Sequence, residues 1–148
     1  MEPTFSIKDI AKYFNLSIST IRYYDKRGLL PFVSKNDAGY RVFTRSDMAF
    51  IKTICCLKDT GMPIRDIKQY IDYCMEGPKS IDKRKELLLK HKQHILMEEQ
   101  TLKKNLKEID QKIDHYTSGN AREIVASQVK YVQQEKKNLH LADPFSTN

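Results

Sequence analysis

Apolar residues near the start recur at helical spacing: Ile7, Ile10, Ala11 and Phe14 fall on one face of a short helix. Ser6 sits where an N-cap belongs, and Asp9 three residues later completes a capping-box pattern. Asn15-Leu16-Ser17 interrupts the period, Ser17 can cap a second helix running to Arg27, and Gly28 supplies a stop. Two short helices joined by a tight break predict a helix-turn-helix. Its details agree: Ala11 is small enough for a close crossing, Asn15 tolerates positive φ, and Ile21 anchors the second helix on the first. A plain helical hairpin of core residues would show much of the same pattern.

Beyond Gly28 the period changes. Leu30-Pro31-Phe32-Val33 and Tyr40-Arg41-Val42-Phe43 flank the polar run Ser34–Gly39, which predicts a β-hairpin with its turn over 34–39. Directly after a helix-turn-helix, such a hairpin is a wing. Thr44 with Asp47 opens a third helix that stops at Gly61. After Met62-Pro63 a fourth helix carries Ile64, Ile67 and Ile71 and ends at Gly77-Pro78.

From Ser80 to about Tyr116 nothing breaks a helix. Leu88, Ile95, Leu102, Ile109 and Tyr116 recur every seven residues, and Leu106 and Ile113 fill the second heptad core position in the later half. In the earlier half that position holds Lys92 and Glu99, which weakens the seam and helps fix its register. So narrow a stripe requires a partner helix. The competing arrangement packs this helix on its own domain, but residues 1–78 offer too little surface to cover it. Thr117–Asn120 ends the coil, residues 121–139 form a weakly amphipathic basic segment, and the tail from about Leu139 reads as disordered. The expected fold class is mainly α, a winged helix-turn-helix followed by a long antiparallel coiled-coil dimerisation helix. The divisions are 1–78, 79–117 and 118–148.

Charge narrows the function. The 148 residues carry a net +7. Residues 1–45 hold eight Lys/Arg against four Asp/Glu, residues 46–80 are neutral, and residues 81–148 add +3, so the predicted helix-turn-helix is the densest positive region. That balance favours nucleic acid over an acidic membrane as the anionic partner, with plain solubility charge as the alternative. No apolar run approaches the length of a membrane span. Three cysteines, Cys55, Cys56 and Cys74, do not make a disulfide scaffold, and Met1–Thr4 has no leader-like pattern. The expectation is a cytoplasmic protein with reduced thiols, no cofactor and no metal.

The second helix is expected to expose Ser19, Thr20, Arg22, Tyr23 and Lys26. Small hydroxyls near its start approach base edges, while Arg and Tyr reach bases or phosphates. On the wing, Tyr40 and Arg41 set an aromatic and a cation beside Gly39, where backbone can come close to a phosphate. The competing reading makes Tyr23, Tyr24 and Tyr40 part of a small core.

Taken together, Thr20-Ile21-Arg22-Tyr23-Tyr24-Asp25, Gly28-Leu29, Gly39–Phe43 and Gly61–Ile64 resemble the MerR family of bacterial regulators over residues 5–116. Asp25 stands where glutamate is usual and Pro63 where serine is common. The resemblance implies a homodimer joined by an antiparallel coiled coil, with two recognition helices in successive major grooves of a pseudo-palindromic promoter. It also implies that the activated dimer bends and undertwists an overlong spacer so that RNA polymerase engages both promoter elements. Residues matching Arg22, Tyr23, Tyr24, Tyr40 and Arg41 would contact DNA, mostly its backbone.

An effector is harder to read. With no cysteine beyond Cys74, soft-metal sensing is disfavoured. The 31 residues after the coil are too few for an independent ligand domain. On the third helix, Phe50, Ile51, Ile54 and Leu57 form the core stripe, Cys55 lies at its edge, and Cys56 points away with Ala49, Thr53 and Thr60. The segment Ile54–Ile64 resembles the aldehyde-responsive, thiol-using branch of the family, whose sensing cysteine falls at Cys56. The plainer role for Cys56 is that of a small packing residue. Two other classes compete with a regulator: an effector-less architectural DNA binder and a thiol enzyme. The coil disfavours the first. Against the second, His91, His94, His115 and His140 all lie on or beyond the coil.

Overall fold

A computed structural model describes residues 1–146. Its elements are α1 (Ile7–Phe14), α2 (Ile18–Lys26), β1 (Ser34–Lys35), β2 (Arg41–Val42), α3 (Arg45–Asp59), α4 (Ile64–Met75), a 3-10 turn (Gly77–Ser80), α5 (Ile81–Thr117) and α6 (Ala121–Asn138). The chain forms two units, one spanning Met1–Ile95 and the other beginning at Leu96.

Local capping fixes the helix starts of the first unit. Ser6 and Asp9 form a reciprocal capping box on α1, as Thr44 and Asp47 do on α3, and Ser17 Oγ accepts from the Thr20 amide to open α2. Each cap satisfies amides that the first turn leaves without partners. Asn15 closes α1 in the left-handed region at φ 53°, and Gly28 turns the chain after α2 at φ 81°. At both places a β-branched residue would be strained. These turns aim the apolar faces of α1, α2, α3 and α4 inward. Ile10, Leu29, Phe43, Ile54, Ile67 and Ile71 are the fully buried apolar side chains.

The wing departs from expectation. Leu30 and Val33 are buried in the core and do not pair; a turn joins them, closed by the Val33 amide on the Leu30 carbonyl. The first strand is Ser34–Lys35, antiparallel to Arg41–Val42, with Ser34 opposite Val42 and Lys35 opposite Arg41. Pro31 has no N–H for a ladder, and the apolar side chains on either side of it answer the core's need. The tip spans Asn36 to Tyr40: the Asn36 side-chain oxygen accepts from the Ala38 and Tyr40 amides, and Gly39 takes φ 86°. Phe5, which the periodicity did not use, forms an isolated antiparallel bridge with Phe43.

A clasp marks the start of α5. Arg84 donates to Ser80 Oγ and to the carbonyls of Cys74 and Gly77, while the buried Ser80 hydroxyl donates to Tyr73 and Gly77 carbonyls. Leu87 packs on the core, and Thr60 Oγ shares a 2.8 Å hydrogen bond with His91 Nε2. In the second unit, α6 is a regular 18-residue helix. The tail differs from the disordered reading as far as Ser146: the Leu141 amide donates to the Lys136 carbonyl and Gln133 donates to Asp143. Positive φ at His140 makes this reversal, a signal single residues do not carry. Residues 147 and 148 of the predicted tail lie outside the described residues.

Candidate nucleic-acid interface

On α2, Ser19, Arg22, Tyr23 and Lys26 are all exposed. Their i, i+3, i+4, i+7 spacing places them on one face of the helix. Ile21 and Tyr24 occupy the opposite face, in the core. Ser17 Oγ sits 2.9 Å from Ser19 Oγ and 2.7 Å from Thr20 Oγ1, so one hydroxyl cluster crowns the start of the helix. Thr20 is half-buried beside this face. Arg27, exposed at the C-cap, adds a cation that the sequence reading treated only as a helix end. Its place one residue beyond Lys26 was the available signal.

The tyrosines divide. Tyr23 is 48 % exposed and Tyr40 73 %, whereas Tyr24 is 6 % exposed. Burial pushes the Tyr24 phenol up, with Cys55 and Asp59 nearby adding to the shift. Of the two readings given for Tyr24, DNA contact or core, the core role is the one its geometry supports. Helix geometry gives the reason: it lies one turn beyond Ile21 on the inward face.

Gly39 and Tyr40 stand exposed at the wing tip. Arg41 differs from them. Its Nε donates to Asp25 Oδ2 at 3.0 Å, Nη2 to Asp25 Oδ1 at 2.7 Å, and Nη1 to the Val33 carbonyl. The guanidinium is half-buried and engaged within the protein, tying β2 to the last turn of α2.

The thiols occupy three environments. Cys56 is exposed, and Cys55 and Cys74 are half-buried. Burial, with Asp59 adding, pushes the Cys55 thiol up. Cys74 lies beside Tyr70, whose phenol burial pushes up, with Cys74 adding. Thr60 Oγ, one turn after Cys56, donates to the Cys56 carbonyl at 2.8 Å. Among the described residues no group of three or more His, Cys, Asp or Glu side chains is placed to hold a metal.

Along α5 no residue is buried. Leu88, Leu102, Leu106, Ile109, Ile113 and Tyr116 are exposed, and Ile95 is half-buried. Leu96 and Met97 are also exposed, which the heptad reading left out. None of the described helices is long and apolar enough to cross a membrane.

Comparison with known proteins agrees with this geometry. Residues 5–74 match the family model for MerR HTH family regulatory proteins. An uncharacterized HTH-type transcriptional regulator of Haemophilus influenzae is 31% identical over 118 residues, covering 80% of this chain and 87% of that protein. The crystal structure of a MerR family transcriptional regulator from Bacillus thuringiensis is 45% identical, with a TM-score of 0.71, covering 77% of this chain and all of that one. HiNmlR, a MerR family regulator lacking the sensor domain and solved bound to promoter DNA, is 31% identical, with a TM-score of 0.73, over 80% of this chain and 94% of its own. The exposed α2 face, the wing beside it and these matches lead to one conclusion: the chain belongs to the MerR family of HTH transcriptional regulators.

Proposed function

We propose that this protein binds a pseudo-palindromic promoter as a homodimer and switches transcription by distorting the spacer, with Cys56 as the site of an aldehyde or electrophile signal. The observation that carries the DNA reading is the single α2 face of Ser19, Arg22, Tyr23 and Lys26 beside the exposed Gly39-Tyr40 tip. Arg22, Lys26 and Arg27 supply cations for phosphates, and Ser19 and Tyr23 supply hydroxyls for base edges or backbone. A relative solved on promoter DNA supports a promoter-binding role. Dimerisation is supported by the exposed seam of α5, whose large apolar side chains a partner helix would remove from water. A symmetric dimer presents its two reading helices at a fixed spacing, and RNA polymerase is the partner that responds to the distorted spacer.

The sensing role rests on exposure and position. Cys56 is the exposed thiol of α3, and its carbonyl is bonded through Thr60 to His91 on α5. A thiolate adding to an aldehyde forms a C–S bond, and the carbonyl electron pair moves to oxygen, which takes a proton from water. The added bulk would disturb the α3–α5 contact. A non-covalent effector is the second reading, favoured by a cleft of about 440 Å³ lined by Met62, Asp66, Leu87, Lys90 and His91.

Intact mass and in vitro transcription from the gene's own promoter, with and without a simple or α,β-unsaturated aldehyde, test this. An adduct and a transcriptional change, both lost in Cys56→Ser, are expected. A response that survives the substitution moves the effector to the cleft. Absence of any effector response favours the architectural binder, and turnover beyond one equivalent per subunit would point to a thiol enzyme.

A further inference from the structure

The wing has little to hold it. It is a two-stranded ribbon of two residue pairs, and residues 34–40 are all exposed. Isolated ribbons of this size are marginal in water. Yet Tyr40 and Gly39 at its tip can read DNA only if the tip keeps a fixed distance from the α2 face. Val33 before β1 and Phe43 after β2 anchor the root of the wing in the core, and the Asp25–Arg41 pair ties β2 to α2.

We propose that Asp25 is a positioning residue for DNA recognition: by clamping Arg41 it sets the wing tip against the reading face of α2, and so governs discrimination between operator and unrelated duplex. The inference rests on the proposed promoter binding but concerns a residue that does not itself touch DNA in that reading. Three observations carry it. The pair is bidentate, a geometry that neither an amide at position 25 nor an ammonium at position 41 can reproduce. Both side chains are largely shielded, at 26% and 30% exposure, so water competes weakly. A third donor of the same guanidinium closes on the Val33 carbonyl, where the chain leaves the core for the wing. Three of five guanidinium N–H donors are thus engaged and two are left for a phosphate.

Electrostatics gives the idea a sign. A carboxylate in a DNA-facing domain opposes binding, so on charge alone Asp25→Asn should tighten every duplex alike and steepen the salt slope by about one. The clamp predicts something else. Affinity for a duplex selected from a random pool by the wild-type protein should fall relative to a shuffled duplex, by roughly tenfold, while the shuffled duplex binds as well or better. Arg41→Lys keeps the charge but cannot make the bidentate pair, and should lose the same discrimination. The double variant Asp25→Asn/Arg41→Lys should fall no further than either single one, because both remove one interaction.

Melting curves confirm that each variant is folded. Equal tightening on both duplexes by Asp25→Asn, or additive losses in the double variant, would overturn the clamp. Should the wild type itself fail to discriminate, promoter recognition fails. Amide exchange over residues 36–40 in the free protein then decides the clamp: faster exchange in Asp25→Asn upholds it, and unchanged exchange rejects it.

Discussion

The first unit of the chain buries its apolar residues and the second displays them. Up to Ile95, helices and wing share a core in which Phe43, Ile54 and Ile67 are fully enclosed. Among the described residues from Leu96 on, none is buried, although Leu102, Leu106, Ile109, Ile113 and Tyr116 stand along one seam of α5. Each such side chain is worth roughly 1.5–3 kcal/mol when removed from water. The first unit collects that energy within one chain; in the proposed dimer the second would collect it between chains. A reader that must hold atomic geometry needs its own core. In the proposed dimer α5 would hold two readers apart, which needs length, and 37 helical residues span roughly 55 Å.

Substitutions should therefore separate the two units. The largest effect is expected from Phe43→Ala: emptying a fully enclosed site and loosening the bridge to Phe5 should cost about 3–5 kcal/mol in a denaturant titration. A loss near zero would mean that the wing root is not part of the core. Next, Leu102→Asp should weaken self-association by on the order of 100-fold, about 2.7 kcal/mol, in sedimentation equilibrium. Leu102 is 69% exposed in the single chain, so melting of the first unit should stay put. A dimer of unchanged strength would displace the heptad register.

Arg22→Ala removes an exposed cation from the reading face and should weaken DNA binding by about 1–2 kcal/mol with no change in melting temperature. Equal affinity would move the interface elsewhere. The smallest effect is expected at a cap: Thr44→Ala deletes the hydroxyl that accepts from Asp47 and should lower stability by about 1 kcal/mol, leaving self-association untouched. Within α3 the thiols sharpen the same contrast between inward and outward faces. At pH 7.5, alkylation should label Cys56 well before Cys55, whose half-buried thiol is pushed up by burial and by Asp59. Mass spectrometry of tryptic peptides would detect the reverse order.

Most helix boundaries were legible because their signals are local. Ser6 with Asp9, Ser17, and Thr44 with Asp47 cap helices through partners three residues away, and a reader of the chain sees both members at once. The exposed α2 face was legible for a similar reason, since one helical period relates Ser19, Arg22, Tyr23 and Lys26. The misplaced first wing strand has the opposite cause. Leu30 and Val33 are apolar because the core needs them, and apolarity does not distinguish an enclosed turn from a strand. Tyr24 was ambiguous by type alone, as a tyrosine serves equally at a core edge or on a phosphate.

The amino-acid sequence by itself determined the helix-turn-helix, the capped starts, the long uninterrupted helix and the family, since these rest on short-range periodicity and residue type. Only the tertiary structure decided which tyrosine faces inward, that Phe5 joins Phe43, that Thr60 meets His91, and that Asp25 holds Arg41 sixteen residues away. Such pairings depend on the path of the chain between the partners, and no pattern within a single turn or strand encodes that path.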